Sequence, residues 1–170
     1  MNYPYFMVLD IGVISEFWLK RLRELALDAE YRPLEAFRRG KQLQVATIEP
    51  VDLHSFVRDD VGGVGKLADP EKVLDCTFDR MSPMHYLNEH SDAQVTPSVP
   101  VVHKIHVPLY TNPYVLFMWS LTSGNEVHRL EEGHVYLYND VLPHSVVNGG
   151  DSHRYHLIMR YRIDGIKVPY

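Results

Sequence analysis

Four residues in this chain have the types and spacing to hold a metal ion beside an organic acid: His90, Asp92, His144 and Arg154. In His90-Ser91-Asp92 an imidazole and a carboxylate stand two residues apart. On an extended backbone such side chains project from the same face, so both can reach one ion. The pair alone carries little weight, since ten His and twelve Asp in 170 residues produce a His-x-Asp by chance about once. Its context adds the weight. His144 opens the apolar run His144-Ser145-Val146-Val147-Asn148, and Arg154 opens the next run across the turn Asn148-Gly149-Gly150. Two neutral imidazoles and one carboxylate on one face of Fe(II) leave three adjacent coordination positions open, the facial arrangement suited to non-haem iron oxygenase chemistry. A 2-oxo acid can chelate two of those positions and O2 can take the third. The distal carboxylate of such an acid needs a cation, and the planar fork of an arginine meets it with two parallel hydrogen bonds.

These side chains need a scaffold of strands. From about Val73 onwards the chain breaks into short β-rich runs, predicted near 75–81, 103–109, 114–121, 126–130, 134–139, 144–148 and 154–163. Asn112-Pro113, Ser123-Gly124-Asn125, Glu132-Gly133, Asn139-Asp140 and Asn148-Gly149-Gly150 supply the turns. Upstream, a strand-like opening leads to a helix with Ser15 as N-cap and Trp18, Leu22, Leu25, Ala26 and Ala29 on one apolar face. Leu43, Val45 and Thr47 suggest a further short strand before Pro50. This pattern predicts a mainly β fold with N-terminal helices, an antiparallel sandwich or barrel covered by a helical layer. One domain over 1–170 is expected, with a helix, strand and loop region over 1–72 and a barrel core over 73–170. The Gly62-Gly63-Val64-Gly65-Lys66 cluster is not a phosphate loop: Asp60 stands where the first glycine belongs and Leu67 where Ser or Thr would bind magnesium. It reads as a loop that could form a lid over the site.

Five blocks together resemble the catalytic core of the aspartyl/asparaginyl β-hydroxylase family of Fe(II)/2-oxoglutarate oxygenases, which includes bacterial free-proline hydroxylases. They are Arg80-x-x-Pro83-x-x-x-Leu87-x-x-His90-x-Asp92, Lys104-Ile105-His106-Val107-Pro108-Leu109, Leu130-Glu131-Glu132-Gly133-His134-Val135-Tyr136-Leu137-Tyr138-Asn139, Pro143-His144-Ser145-Val146-x-Asn148 and Arg154-Tyr155-His156-Leu157-Ile158. Their order and spacing cover about half of the chain. The resemblance implies a double-stranded β-helix, the cupin-like jelly roll, with Fe(II) held by His90, Asp92 and His144. It implies 2-oxoglutarate as co-substrate, anchored by Arg154 and assisted by Lys104 and His106. The substrate would be an amino acid, free or in a peptide, hydroxylated on its side chain. Some members of the family lack the carboxylate ligand, whereas this chain has Asp92. It also has Lys104 where the family usually has Arg, and Met84 where the family tends to have Gly, which suggests a changed approach to the metal.

The remaining features bound the alternatives. A formal charge of −5 without a long basic block argues against a nucleic-acid surface. The chain opens with no signal-peptide pattern and has no apolar run of membrane-spanning length, and its one cysteine, Cys76, cannot form an internal disulfide, so a soluble cytoplasmic protein is expected. Lone strand histidines are most often structural, which is how His103, His128, His134, His153 and His156 are read. Trp119, Tyr86 and Tyr110 are read first as core and second as pocket walls, Tyr136 and Tyr138 as sheet packing, and Arg160 and Arg162 as the solvated end of the last strand. The alternative to an oxygenase is a cupin-like barrel that binds a metal or small acid without turnover. A metal-dependent isomerase or dioxygenase without a 2-oxo acid, and a nucleobase oxygenase, are more distant readings.

Overall fold

The computed structural model describes residues 8–33, 43–47, 56, 73–92 and 102–162. In chain order these form β1 (Val8–Val13), α1 (Glu16–Asp28), β2 (Arg32–Pro33), β3 (Leu43–Thr47), β4 (Val73–Met81), β5 (His85–His90), β6 (Val102–Tyr110), β7 (Val115–Leu121), β8 (Gly124–His128), β9 (His134–Tyr138), β10 (His144–Asn148) and β11 (Arg154–Arg162). A seven-stranded sheet runs β1-β9-β6-β11-β4-β3-β2 and a four-stranded sheet runs β5-β10-β7-β8. Every pairing between them is antiparallel. The expected jelly-roll fold is present. The larger sheet also recruits β1, β2 and β3 from the chain before residue 73, because β1 pairs with β9 and β3 with β4.

Strand alternation sorts the residues into two cores. Ile105, Val107 and Leu109 of β6, Val135 and Leu137 of β9, and Leu157 and Met159 of β11 face outwards from the large sheet, where Leu22 and Ala26 of α1 cover them. Ser15 caps that helix by accepting a hydrogen bond from the Trp18 amide, as its position predicts. The opposite phase of the same strands, with Tyr136 and Tyr138 of β9, meets Val115, Phe117 and Trp119 of β7 and Val146 of β10 inside the barrel. The last strand is therefore buried on both faces, as its run of large apolar residues requires.

Two turns place the ends of the site strands. Asn148, fully buried at the end of β10, donates from its amide to the carbonyls of Met81, Ser82 and Ser152 at 3.3, 3.1 and 2.9 Å. Its carbonyl accepts from the Asn112 side chain at 3.0 Å and the Gly150 amide at 3.3 Å. A β-carbon on Gly150 would collide with the Asn112 amide, so the turn needs glycine there. Met84 lies in the β4–β5 turn at a φ of 54° and is 76% exposed. Glycine adopts such a left-handed backbone without the steric cost that Met84 bears. The proposed 59–70 lid lies outside the described residues.

Replacing Asn148 with Ala strips one buried and two partly buried carbonyls of a donor and should cost about 3 kcal/mol, read as a lower urea midpoint with an unchanged denaturant slope. Met84→Gly should act in the other direction, gaining about 1 kcal/mol from the relieved left-handed conformation and raising the melting temperature by a few degrees.

Candidate metal and oxo-acid site

His90 closes β5 and His144 opens β10, and the two are direct partners in the antiparallel ladder. The next partnered pair is Val146 with Leu87, two residues along β10 but three along β5, so β5 carries an extra residue between them. That bulge turns both Leu87 and His90 towards the barrel interior, although residues three apart on a regular strand face opposite ways. The rings stand 4.4 Å apart between centroids. Each ring Nδ1 contacts a carbonyl two residues earlier, Asn88 at 2.6 Å for His90 and Leu142 at 2.8 Å for His144. A carbonyl can only accept, so Nδ1 carries the proton and each Nε2 presents its lone pair.

Asp92 stands two residues past the end of β5, with its amide on the Asp140 carbonyl at 3.0 Å. Its carboxylate oxygens lie 3.4 Å from His90 Nε2 and 3.6 Å from His144 Nε2. The three candidate ligand atoms all fall within 4.8 Å of one another. Donors at right angles around an ion 2.0–2.2 Å away are about 3 Å apart, so small side-chain adjustments close the site. Burial alone would raise the Asp92 carboxyl, but the neighbouring His144 ring and the Lys104 ammonium outweigh it and hold the group well below the usual carboxylate range. Burial lowers the His90 pKa, which keeps that imidazole neutral and able to ligate.

A cavity of about 80 Å³ connects this cluster to Arg154, with His106, Phe117, Tyr138 and Ile158 among its walls. Arg154 is 3% exposed, its guanidinium lies 5.6 Å from the Phe117 ring, and its Nε has no hydrogen-bond partner among the described residues. Asp79, also buried, lies beside it on the same inner face, one same-face pair along the β4–β11 ladder: burial raises the Asp79 carboxyl, with Arg154 opposing. The Arg154 backbone is level with Met81, to which the far end of β10 is tied by Asn148. The His90–Asp92–His144 cluster and Arg154 therefore enter from opposite ends, about 13 Å apart along β10 at the usual rise per residue.

The sequence candidates His90, Asp92, His144, Arg154, Lys104 and His106 all line this one cavity. Lys104 forms an ion pair with Asp92 at the metal end. His106 stacks on Tyr138 at 4.4 Å. Sequence reasoning passed over Asp79 and Tyr138. Tyr138 pairs with Lys104 across β9 and β6 and shares its inward face, and its ring lies edge-on to His144 at 5.0 Å. β4 carries Asp75, Thr77 and Arg80 as well as Asp79, so its composition gave no distinct signal for Asp79. Trp119 is core, its indole N–H donating to Asn139 O at 3.2 Å, while Tyr86 is exposed and Tyr110 packs outside the barrel against Tyr155. His128 and His134 pair with Glu126 and Asp10 away from the cavity. Arg160 is exposed and paired with Asp75.

The family model described as aspartyl/asparaginyl β-hydroxylase matches residues 62–162. A search of curated proteins finds no significant relative. Among solved structures, a Pseudomonas putida prolyl-4-hydroxylase superposes with a TM-score of 0.63 at 15% identity, covering 93% of each chain. HygX from Streptomyces hygroscopicus, solved with nickel, 2-oxoglutarate and hygromycin B bound, gives 0.67 at 13% identity over 91% of this chain and 81% of its own. A 2OG-Fe(II) oxygenase family oxidoreductase from Burkholderia pseudomallei gives 0.61 at 16% identity, over 89% and 81%. At these identities the likeness establishes the shared fold. No helix among the described residues is long and apolar enough to cross a membrane.

Burial drives the pKa values of His106 and His156 well below the ordinary histidine value. The unfolded chain, titrating near pH 6.5, then binds protons that the native state refuses. Stability is fully present above about pH 6.5 and is lost as pH falls from there towards the depressed native value, by up to about 1.4 kcal/mol per pH unit for each histidine. His156→Phe should remove one of these protons, and urea unfolding between pH 6.5 and 5.5 should show a shallower decline. An unchanged slope would mean that native His156 accepts a proton in this range.

Proposed function

The chain belongs to the aspartyl/asparaginyl β-hydroxylase family of 2-oxoglutarate-dependent oxygenases, and on that premise we propose that it hydroxylates the side chain of an amino acid, free or within a short peptide. In this reading His90, Asp92 and His144 hold Fe(II), and Arg154 holds the distal carboxylate of 2-oxoglutarate. The observation that carries it is the convergence of three ligand atoms within 4.8 Å at one end of a cavity whose other end holds a buried arginine. Two imidazoles and a carboxylate suit Fe(II), and the partnerless Nε of Arg154 suits a carboxylate.

When bound, Fe(II) with O2 and 2-oxoglutarate supplies the oxidation, in which the oxo acid loses CO2 to become succinate and one oxygen atom enters a substrate C–H bond. The protein's own residues prepare that chemistry. The Asn88 and Leu142 carbonyls fix the two imidazoles with Nε2 towards the ion. Arg154 sets the direction in which the oxo acid lies, and Leu87, Phe117, Val146 and Ile158 keep bulk water from its path. A water occupies about 30 Å³ of liquid, so a cavity of about 80 Å³ has room for the ion and part of the co-substrate. The amino acid must then approach from the mouth beside His90 and Asp92, which are half-buried while His144 is buried.

The test needs no substrate. Anaerobic protein given Fe(II) and then 2-oxoglutarate should develop the weak visible charge-transfer band of an oxo-acid chelate. His144→Ala should lose the band with its iron. Arg154→Lys should keep the iron but weaken 2-oxoglutarate about 10- to 100-fold, because a point charge replaces a bidentate fork. Iron binding with no band in the wild type would leave a metal-binding barrel and refute the oxygenase assignment. With the band in hand, succinate release in the presence of candidate amino acids and short peptides identifies the substrate.

A further inference from the structure

Lys104 occupies a position that the proposed reaction does not explain. Its ammonium pairs with Asp92 Oδ2, the same oxygen that faces His144 Nε2 at 3.6 Å. A cation on that oxygen does in part what a metal ion would do there. A second carboxylate lies close by. Asp140 is 2% exposed, its carbonyl receives the Asp92 amide, and its Oδ1 has no hydrogen-bond partner among the described residues. Lys104 is the cation that acts most strongly on it. One ammonium thus acts on two carboxylates, paired with the half-buried one that would ligate a metal, while the buried one keeps an oxygen unused.

We propose that Lys104 is a displaceable counter-ion of the metal site, held on Asp92 while no divalent cation is bound and transferred to Asp140 when one binds. The inference rests on the assignment of His90, Asp92 and His144 as ligands. A divalent ion would claim the Asp92 oxygens and repel the adjacent ammonium, and a partly buried ammonium moves most readily where another acceptor awaits it. The idle oxygen of Asp140 is that acceptor. No proton changes hands, and the exchange is a change of ion-pair partner. Lys104 therefore acts through Asp92 as a positioning residue. It keeps the empty site from carrying an unpaired carboxylate, and it lowers intrinsic metal affinity in return.

Titration calorimetry with Ni(II) alone at pH 8 tests this without turnover. Lys104→Met and Lys104→Gln should each bind Ni(II) at least tenfold more tightly than the wild type, whereas Lys104→Arg, which keeps the charge, should not. Asp140→Asn should weaken Ni(II) several-fold in the wild-type background and have no effect beside Lys104→Met, since no ammonium then needs a new partner. A mere packing role for Lys104 would weaken binding in both neutral variants. Neutral variants that bind no more tightly than the wild type, or an Asp140→Asn effect equal in both backgrounds, would overturn the exchange while leaving the metal site standing. A wild-type protein that binds neither Ni(II) nor Fe(II) would overturn the site assignment itself.

Discussion

The pairing of β5 with β10, which sets His90 opposite His144, is the constraint on which the rest of the site depends. It brings two imidazoles to one level of the barrel, and the bulge in β5 turns the first of them inwards. β5 is the edge of the four-stranded sheet, so it can carry that bulge without disturbing a further neighbour. The chain then leaves the edge with Asp92 and crosses to the large sheet's side, where the Asp140 carbonyl and Lys104 receive it. At the far end of β10, Asn148 bonds to the end of β4 and to the turn that delivers Arg154. One five-residue strand thereby sets the separation between the His90–Asp92–His144 cluster and Arg154.

Charge explains why the cavity has its particular set of residues. Lys104 and Arg154 bring two positive charges to its walls, and Asp79 and Asp92 bring two negative ones. Buried ions are tolerated only when paired, and these four charges balance one another. Under the proposed function Fe(II) adds two positive charges and 2-oxoglutarate two negative, so the loaded cavity is balanced as well. Either partner alone leaves an excess that the surrounding Phe117, Tyr138 and Ile158 cannot solvate. The same reasoning makes Asp79 part of the arginine site: without it, an empty cavity would hold an uncompensated guanidinium.

The legible parts of this structure were those in which local pattern and final environment coincide. Alternation placed Arg154 and His156 on one face and Leu157 and Met159 on the other, and the structure buries the first pair inside the barrel and the second under α1. The helix cap at Ser15, the strand at Leu43–Thr47 and the inward turn of His144 followed equally. Hidden from the sequence was whatever depends on register between distant strands. β5 escaped because Leu87 and His90 sit out of phase, and only the bulge reconciles them. Tyr138 read as sheet packing because its face is defined by pairing with Lys104, thirty-four positions away. Lys104 was placed by analogy on the oxo acid, and the structure sets it on Asp92, a contact that no spacing rule announces.

A locator of the site that needs no motif is the distribution of unsatisfied polar atoms. Among the described residues, the buried side-chain atoms without a hydrogen-bond partner belong to His106, His156, Arg154 and Asp140 alone. Each such atom costs about 1–3 kcal/mol relative to a satisfied or apolar equivalent. A barrel shaped only for stability would carry apolar residues at those positions, as it does at Val115, Phe117 and Val146 inside the barrel. His106 and Arg154 line the cavity, His156 packs against His106 at 5.9 Å, and Asp140 supports Asp92. The destabilising groups are thus confined to the surroundings of the one cavity that joins the His90–Asp92–His144 cluster to Arg154. That confinement is expected where hydrogen-bonding capacity is kept open for a ligand, and it points to the same place as the five sequence blocks by a physical route independent of them.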